Sequence, residues 1–189
     1  MPHDPITIVL PWYGPETRGG AEDQARHLVR ALRTAGIAVD VWATNARDAR
    51  APLAPFYPLG QDEVDGTRVR RFPANLGAGP RLTRRSATQL PSFPIHELHL
   101  LQSLTGSDQL LEALLHERAT RRWVFFLYAF PTSFWGAQIA ADRAYLVSRC
   151  TPIEDLDPER MGGARGVQDF RTDAELEYLR SDAQPACEA

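Results

Sequence analysis

The segment ITIVLPWYGPETRGGAEDQARHLVRALRTAGIAVDVWAT, residues 6 to 44, constrains the fold more than any other part of the chain. Ile6 to Leu10 is a continuous apolar, β-branched run, the pattern of a strand buried on both faces. Pro11 ends it. Ala21, Ala25, Leu28, Val29 and Leu32 then recur with a helical period and form a one-sided apolar stripe. Gly36 stands where a helix C-terminal glycine belongs, and Ile37 to Ala43 reads as the next strand. Two strands joined by a helix make a right-handed parallel βαβ unit. This one predicts an α/β fold: a Rossmann-like, doubly wound parallel sheet with helices on both faces and Ile6–Leu10 central.

The rest of the chain continues the alternation. Residues 51 to 60, with three prolines, read as a loop. Asp65-Gly66 offers a turn before a short strand at Thr67 to Phe72. Residues 75 to 95 read as a long mobile segment, or as one ordered only by a partner. A helix is predicted over 107–119 with Ser107 or Asp108 as its N-cap. A central strand follows at 121–130, a helix at 132–143 and a strand at 144–150. A weaker strand is expected at 166–170, then a short helix opened by a Thr172–Glu175 capping box. At 189 residues the chain has room for one sizeable domain, expected over residues 1–180 with a tail at 181–189.

A glycine-bearing loop at the top of a parallel sheet commonly meets a ligand. The dinucleotide fingerprint is absent, because Gly14, Gly19 and Gly20 have the wrong spacing. Gly14 and Gly19 have P-loop spacing, but Gly20 and Ala21 stand where the lysine and hydroxyl belong. No clamp for terminal phosphates results, which excludes an NTPase. What remains is Gly19-Gly20 at a helix N-terminus. There a ligand can approach the backbone closely, and free N–H groups favour anions or hydroxyls. A tight turn into the helix is the plain structural alternative.

These residues carry a resemblance. Gly19, Gly20, Ala21, Glu22, Leu32, Gly36, Val39, Val41 and Thr44 match the opening of the N-terminal domain of glycosyltransferase family 4. The stretch at 65–74 resembles that family's third-strand region. Residues 125–150 resemble the part where a strand gives Tyr128 and leads into a turn. The resemblance implies a two-Rossmann-domain enzyme whose N-terminal domain holds the acceptor and whose C-terminal domain grips the nucleotide-sugar. It implies that Gly19 and Gly20 line the cleft near the donor phosphates and the transferred sugar. The expected function is thus the acceptor-side domain of a glycosyltransferase, moving a sugar to a hydroxyl of a glycan or lipid-linked acceptor once completed by a donor-binding domain. The alternative is a non-catalytic binding module, or one subunit of a two-chain enzyme. The chain departs from the family in two ways. It stops at Ala189, so the donor-binding domain is expected to be absent. Pro152 stands near the histidine of a His-Asp-Glu-like turn, with Glu154 matching the glutamate, and a proline ring neither transfers a proton nor bonds a hydroxyl.

The candidate substrate-binding set is therefore Gly19, Gly20, Arg18, Tyr128 and Glu154, with no catalytic residue assigned and no cofactor expected. Arg18 beside the turn could meet a phosphate or a carboxylated acceptor, or simply be solvated. Trp12 and Tyr13 could stack on a sugar or pack against a neighbouring loop. His96 and His99 have a spacing able to share a metal, but nothing nearby completes the set, and His27 and His116 read as isolated. Arg84-Arg85 and Arg121-Arg122 read as solvated pairs, and the acidic run Glu154, Asp155, Asp157 and Glu159 as a solvated loop. A net charge of −3 gives no global attraction to nucleic acid. All 21 basic residues are arginine, which reads first as GC-rich codon usage and second as a capacity for bidentate oxyanion contacts. The two cysteines, Cys150 and Cys187, read as free thiols. The N-terminus lacks a signal-peptide pattern, and the longest apolar run, residues 123–130, is too short to span a bilayer. A cytoplasmic location is expected, with contact at the inner face of a membrane open only through the basic pairs.

Overall fold

The computed structural model describes residues 4–17, 19–48, 54–79, 101–127 and 130–147. The strands are β1 (Ile6–Val9), β2 (Val39–Thr44), β3 (Gly60–Val64), β4 (Thr67–Phe72), β5 (Asn75–Leu76), β6 (Thr105–Gly106), β7 (Arg122–Phe126) and β8 (Ala144–Val147). The helices whose bounds lie within the described residues are α1 (Gly20–Thr34), α2 (Asp108–Glu117) and α3 (Pro131–Ala140), with helical residues also at 101–103 and a 3-10 turn at Ala141–Arg143. A six-stranded sheet runs in the order β3-β4-β2-β1-β7-β8. β1 is central and parallel to both neighbours, Ile6 facing Val39 on one side and Arg122 on the other. β4 and β8 extend the parallel set. The fold is α/β and Rossmann-like.

Alternation along each strand sorts the core into two layers. Ile6, Ile8, Leu10, Val41, Ala43, Val124 and Phe126 face α1, which inserts Ala25, Leu28, Val29 and Leu32. Val9, Trp42, Trp123 and Phe125 face the other way, against Leu110 and Leu114 of α2 and Ala137 and Ala140 of α3. Leu28 is 1% exposed, so Leu28→Ala would cost about 2–5 kcal/mol. Gly36 ends α1 with φ 73°. Its N–H donates to the Arg33 carbonyl and the Ile37 N–H to the Leu32 carbonyl, the paired bonds of a Schellman cap. Ser107 caps α2 through its hydroxyl, which accepts from the Leu110 N–H.

Three expectations are corrected. The stretch read as an unbroken loop up to Gly60 opens directly into an antiparallel strand, β3, which pairs with β4 across the Asp65-Gly66 turn. The sheet edge is therefore antiparallel rather than all parallel. The segment expected to be mobile from residue 75 begins as an ordered ribbon, β5 pairing with β6. Asn75 pins it to α2: its side chain donates to Asp108 and accepts from the Asp108 N–H. The strand expected over 121–130 is shorter, ending at Phe126, because Leu127 turns the backbone to φ 57°. Residues 80–95, the candidate strand at 166–170 and the helix after Thr172 lie outside the described residues.

Candidate functional site

From β1 the chain passes through β2 and β4 on one side of the sheet, then returns to place β7 on the other side of β1. The C-terminal ends of β1 and β7 thus flank the point where strand order reverses, where open α/β sheets form a crevice. α1 begins at the end of the β1 loop and α3 begins just past β7, on opposite faces.

From Pro11 to Thr17 the loop is held by bonds from β2, β4 and α1. The Pro11 carbonyl accepts from both the Thr44 N–H and the Thr44 hydroxyl at the end of β2. The Tyr13 carbonyl accepts from Arg71 Nη1, reaching over from β4. The Gly14 carbonyl accepts from the Thr17 N–H, the Thr17 hydroxyl at 2.7 Å and Arg26 Nη2 at 2.6 Å. Arg26 also donates to the Thr17 carbonyl at 2.9 Å and pairs with Asp23. Both guanidiniums are buried, Arg26 8% and Arg71 2% exposed. Arg71 is paired with Asp62 and lies 4.0 Å from the Tyr57 ring centre. Tyr57 donates to Glu16 at 2.9 Å and fills the space beside Gly14, where a Cβ would come within 2.2 Å of its oxygen. Burial first, and then the hydrogen bond to Glu16 and its charge, push the Tyr57 phenol up to about 12. Burial likewise raises Tyr13, against the lowering influence of Arg26.

The two glycines of the turn differ. A Cβ on Gly19 would lie 2.3 Å from Glu22 Oε2, so the missing side chain makes room for a carboxylate of the same helix. Glu22 is 5% exposed, and its other oxygen accepts from Trp12 Nε1 at 2.5 Å. A Cβ on Gly20 would meet nothing within 4 Å. Gly20 is therefore the member of the pair that faces open space. Trp12 turns its ring edge-on to Phe130, 5.1 Å between centres, so this contact ties the β1 loop to the residue that precedes α3.

Of the residues expected to bind, Gly19 and Gly20 stand at the start of α1, in the loop that follows β1, while Arg18, Tyr128 and Glu154 lie outside the described residues, as do Pro152, His96 and His99. Trp12 and Tyr13, 8% and 1% exposed, serve packing rather than an open stacking face. His27 and His116 are exposed. Arg121, expected to be solvated, instead bonds Asp40, Glu117 and the Thr7 hydroxyl near the N-terminal ends of the strands. Among the described residues no helix is long and apolar enough to cross a membrane.

Sequence reasoning missed Arg26, Arg71, Tyr57 and the role of Glu22. A signal existed for two of them. Arg26 is one residue from Ala25 on the buried side of α1, four beyond Glu22. Arg71 follows Thr67 and Val69 at strand spacing, which puts an arginine on the core face. No family model, curated protein or solved structure matches this chain.

Proposed function

We propose that the chain is the acceptor-side domain of a nucleotide-sugar-dependent glycosyltransferase, active when completed by a donor-binding domain. One observation carries the reading: Gly20, first residue of α1 and beside the strand-order reversal, opens onto unfilled space. The first intrahelical bond runs from the Asp23 N–H to the Gly19 carbonyl, so the earlier amides have no helical partner. They suit the oxygen of a ligand that comes close to the backbone.

The charge nearby selects what that oxygen is. Glu22 already places a carboxylate against the turn, and Asp23 stands beside it in the first turn. Both offset the helix dipole, so a neutral hydroxyl fits better here than a phosphate. The buried arginines hold the loop before a ligand arrives, which lowers the ordering cost of binding. In a transfer reaction such a site supplies position: it holds the acceptor hydroxyl in place for a donor gripped by the other domain.

The test is an NMR titration of the labelled chain with neutral mono- and oligosaccharides and with nucleotide-sugars. Saturable movement of the Gly20 amide is expected with neutral sugars, weak and in the range of about 1 mM. Gly20→Val should abolish it while unfolding at nearly the same temperature. If no sugar moves that amide, the reading fails.

A further inference from the structure

We propose that the start of α3 holds an anionic oxygen of the same ligand through the Thr132 amide and hydroxyl, so that the acceptor is a polyol carrying a negative charge. This rests on the sugar-binding reading of the Gly20 side.

α3 has ten residues and begins without a side-chain cap. Pro131, its first residue, has no N–H to offer. The Ser133 and Phe134 amides both donate to the Phe130 carbonyl, and the Ser133 hydroxyl donates to the Phe126 carbonyl. Thr132 is what remains. It is fully buried, and its hydroxyl has no hydrogen-bond partner among the described residues. A buried hydroxyl has lost its water and, here, gained nothing in return. The Cα–Cβ bond of a helical residue tilts toward the helix N-terminus, which sets the Thr132 side chain on the N-terminal side of its own turn. Thr132 also shares a helix face with Gly136 four residues on, and Gly136 abuts Phe125 and Leu114. The hydroxyl therefore lies on the sheet side of α3, next to the end of β7.

Charge separates this helix start from that of α1. The first turn of α3 has no acidic residue. Its dipole is uncompensated, and a carboxylate or phosphate oxygen can accept from the N–H and O–H of Thr132 together. The two helix starts are joined through Glu22, Trp12 and Phe130, one hydrogen bond and one ring contact apart. The ligand proposed here presents hydroxyls to one and its charge to the other. Entry requires the start of α3 to shift, since Thr132 has no exposed surface. Leu127, held at φ 57° in the turn before it, marks where backbone strain would relax.

The experiment titrates the isotope-labelled chain with inorganic phosphate, acetate, glucose, glucose 6-phosphate and glucuronate, following the Thr132, Leu127 and Gly20 amides. Phosphate or acetate should move Thr132 and Leu127 saturably, and which of the two acts identifies the oxyanion. The matching charged sugar should bind at least about tenfold more tightly than glucose. Thr132→Val should weaken the anion by about tenfold or more without lowering the melting temperature of the unliganded chain, because it removes an unpaired hydroxyl. Thr132→Ser should retain binding. A melting temperature several degrees lower in Thr132→Val would show a structural partner and overturn the proposal, as would anion binding unchanged in that variant. Anion-induced movement of Thr132 with no sugar response at Gly20 would discard the sugar reading and leave a bare oxyanion site. A sugar response at Gly20 with Thr132 silent would do the reverse.

Discussion

α1 and α3 start one strand apart at the same end of the sheet, and they solve the same electrostatic problem differently. Every helix start presents unpaired N–H groups and partial positive charge. α1 answers with its own acids, Glu22 and Asp23, and with a loop whose carbonyls are bound by Arg26, Arg71 and Thr44. α3 answers with a proline that removes one donor, and otherwise leaves Thr132 unanswered. The first start is rigid and electrically balanced. The second is under-satisfied. The difference teaches that buried polar side chains can end up in opposite states: in one loop they complete a network, and in the neighbouring turn a buried hydroxyl is left without a partner.

Breaking the rigid side should have the largest effect. Arg26→Met removes the donors that clamp the Gly14 and Thr17 carbonyls while keeping an apolar stem. It should cost about 3 kcal/mol in denaturant unfolding, since charged bonds to buried carbonyls are lost together. Gly14→Ala comes next, at about 2 kcal/mol, because the new methyl overlaps the Tyr57 ring and must displace it from Glu16 and Arg71. In a double-mutant cycle with Tyr57→Ala the two losses should be clearly less than additive.

A pH series tests the same clamp. The fold favours the neutral Tyr57 phenol, raised to about 12 from a free-chain value of 10.0. That contribution is whole below pH about 10 and disappears as pH climbs through about 12. Stability should fall over this interval, and Tyr57→Phe should flatten the fall. The smallest and sharpest contrast separates the adjacent glycines. Gly19→Ala forces Glu22 off Trp12 and should cost about 1 kcal/mol. Gly20→Ala meets nothing within 4 Å and should stabilise by about 0.5 kcal/mol. Equal effects at the two positions would remove the distinction drawn between them.

The parts of the fold legible in the sequence are those written in periodicity. β1, α1 and β2 follow from apolar spacing, and Gly36 and Ser107 from cap chemistry. β3 was not legible because Gly60–Val64 has three polar residues in a row and no core-facing alternation. It exists because the Asp65-Gly66 turn folds it back on β4. β5 and β6 are two residues each and owe their pairing to Asn75 meeting Asp108 from far along the chain. At the site the glycines announced the turn, but not which of them faces space. That depended on where Glu22 folds, a tertiary matter. Thr132 was hidden for a related reason: a threonine beside a proline at a helix start looks ordinary until its surroundings show that nothing bonds it.

The placement of β1 also sets how the chain can fold. Its partner β2 is nearby in sequence, with Ile6 opposite Val39, but its other partner is distant, with Ile6 opposite Arg122. Short loops close at small entropic cost and long ones at more. The β1–α1–β2 unit can therefore assemble early, with one edge of β1 unpaired until β7 has been made and has found it. That late, long-range parallel pairing is the expected slow step of folding. Because the reversal of strand order lies between these two strands, the junction that joins the two halves of the sheet is the last part of it to come into being.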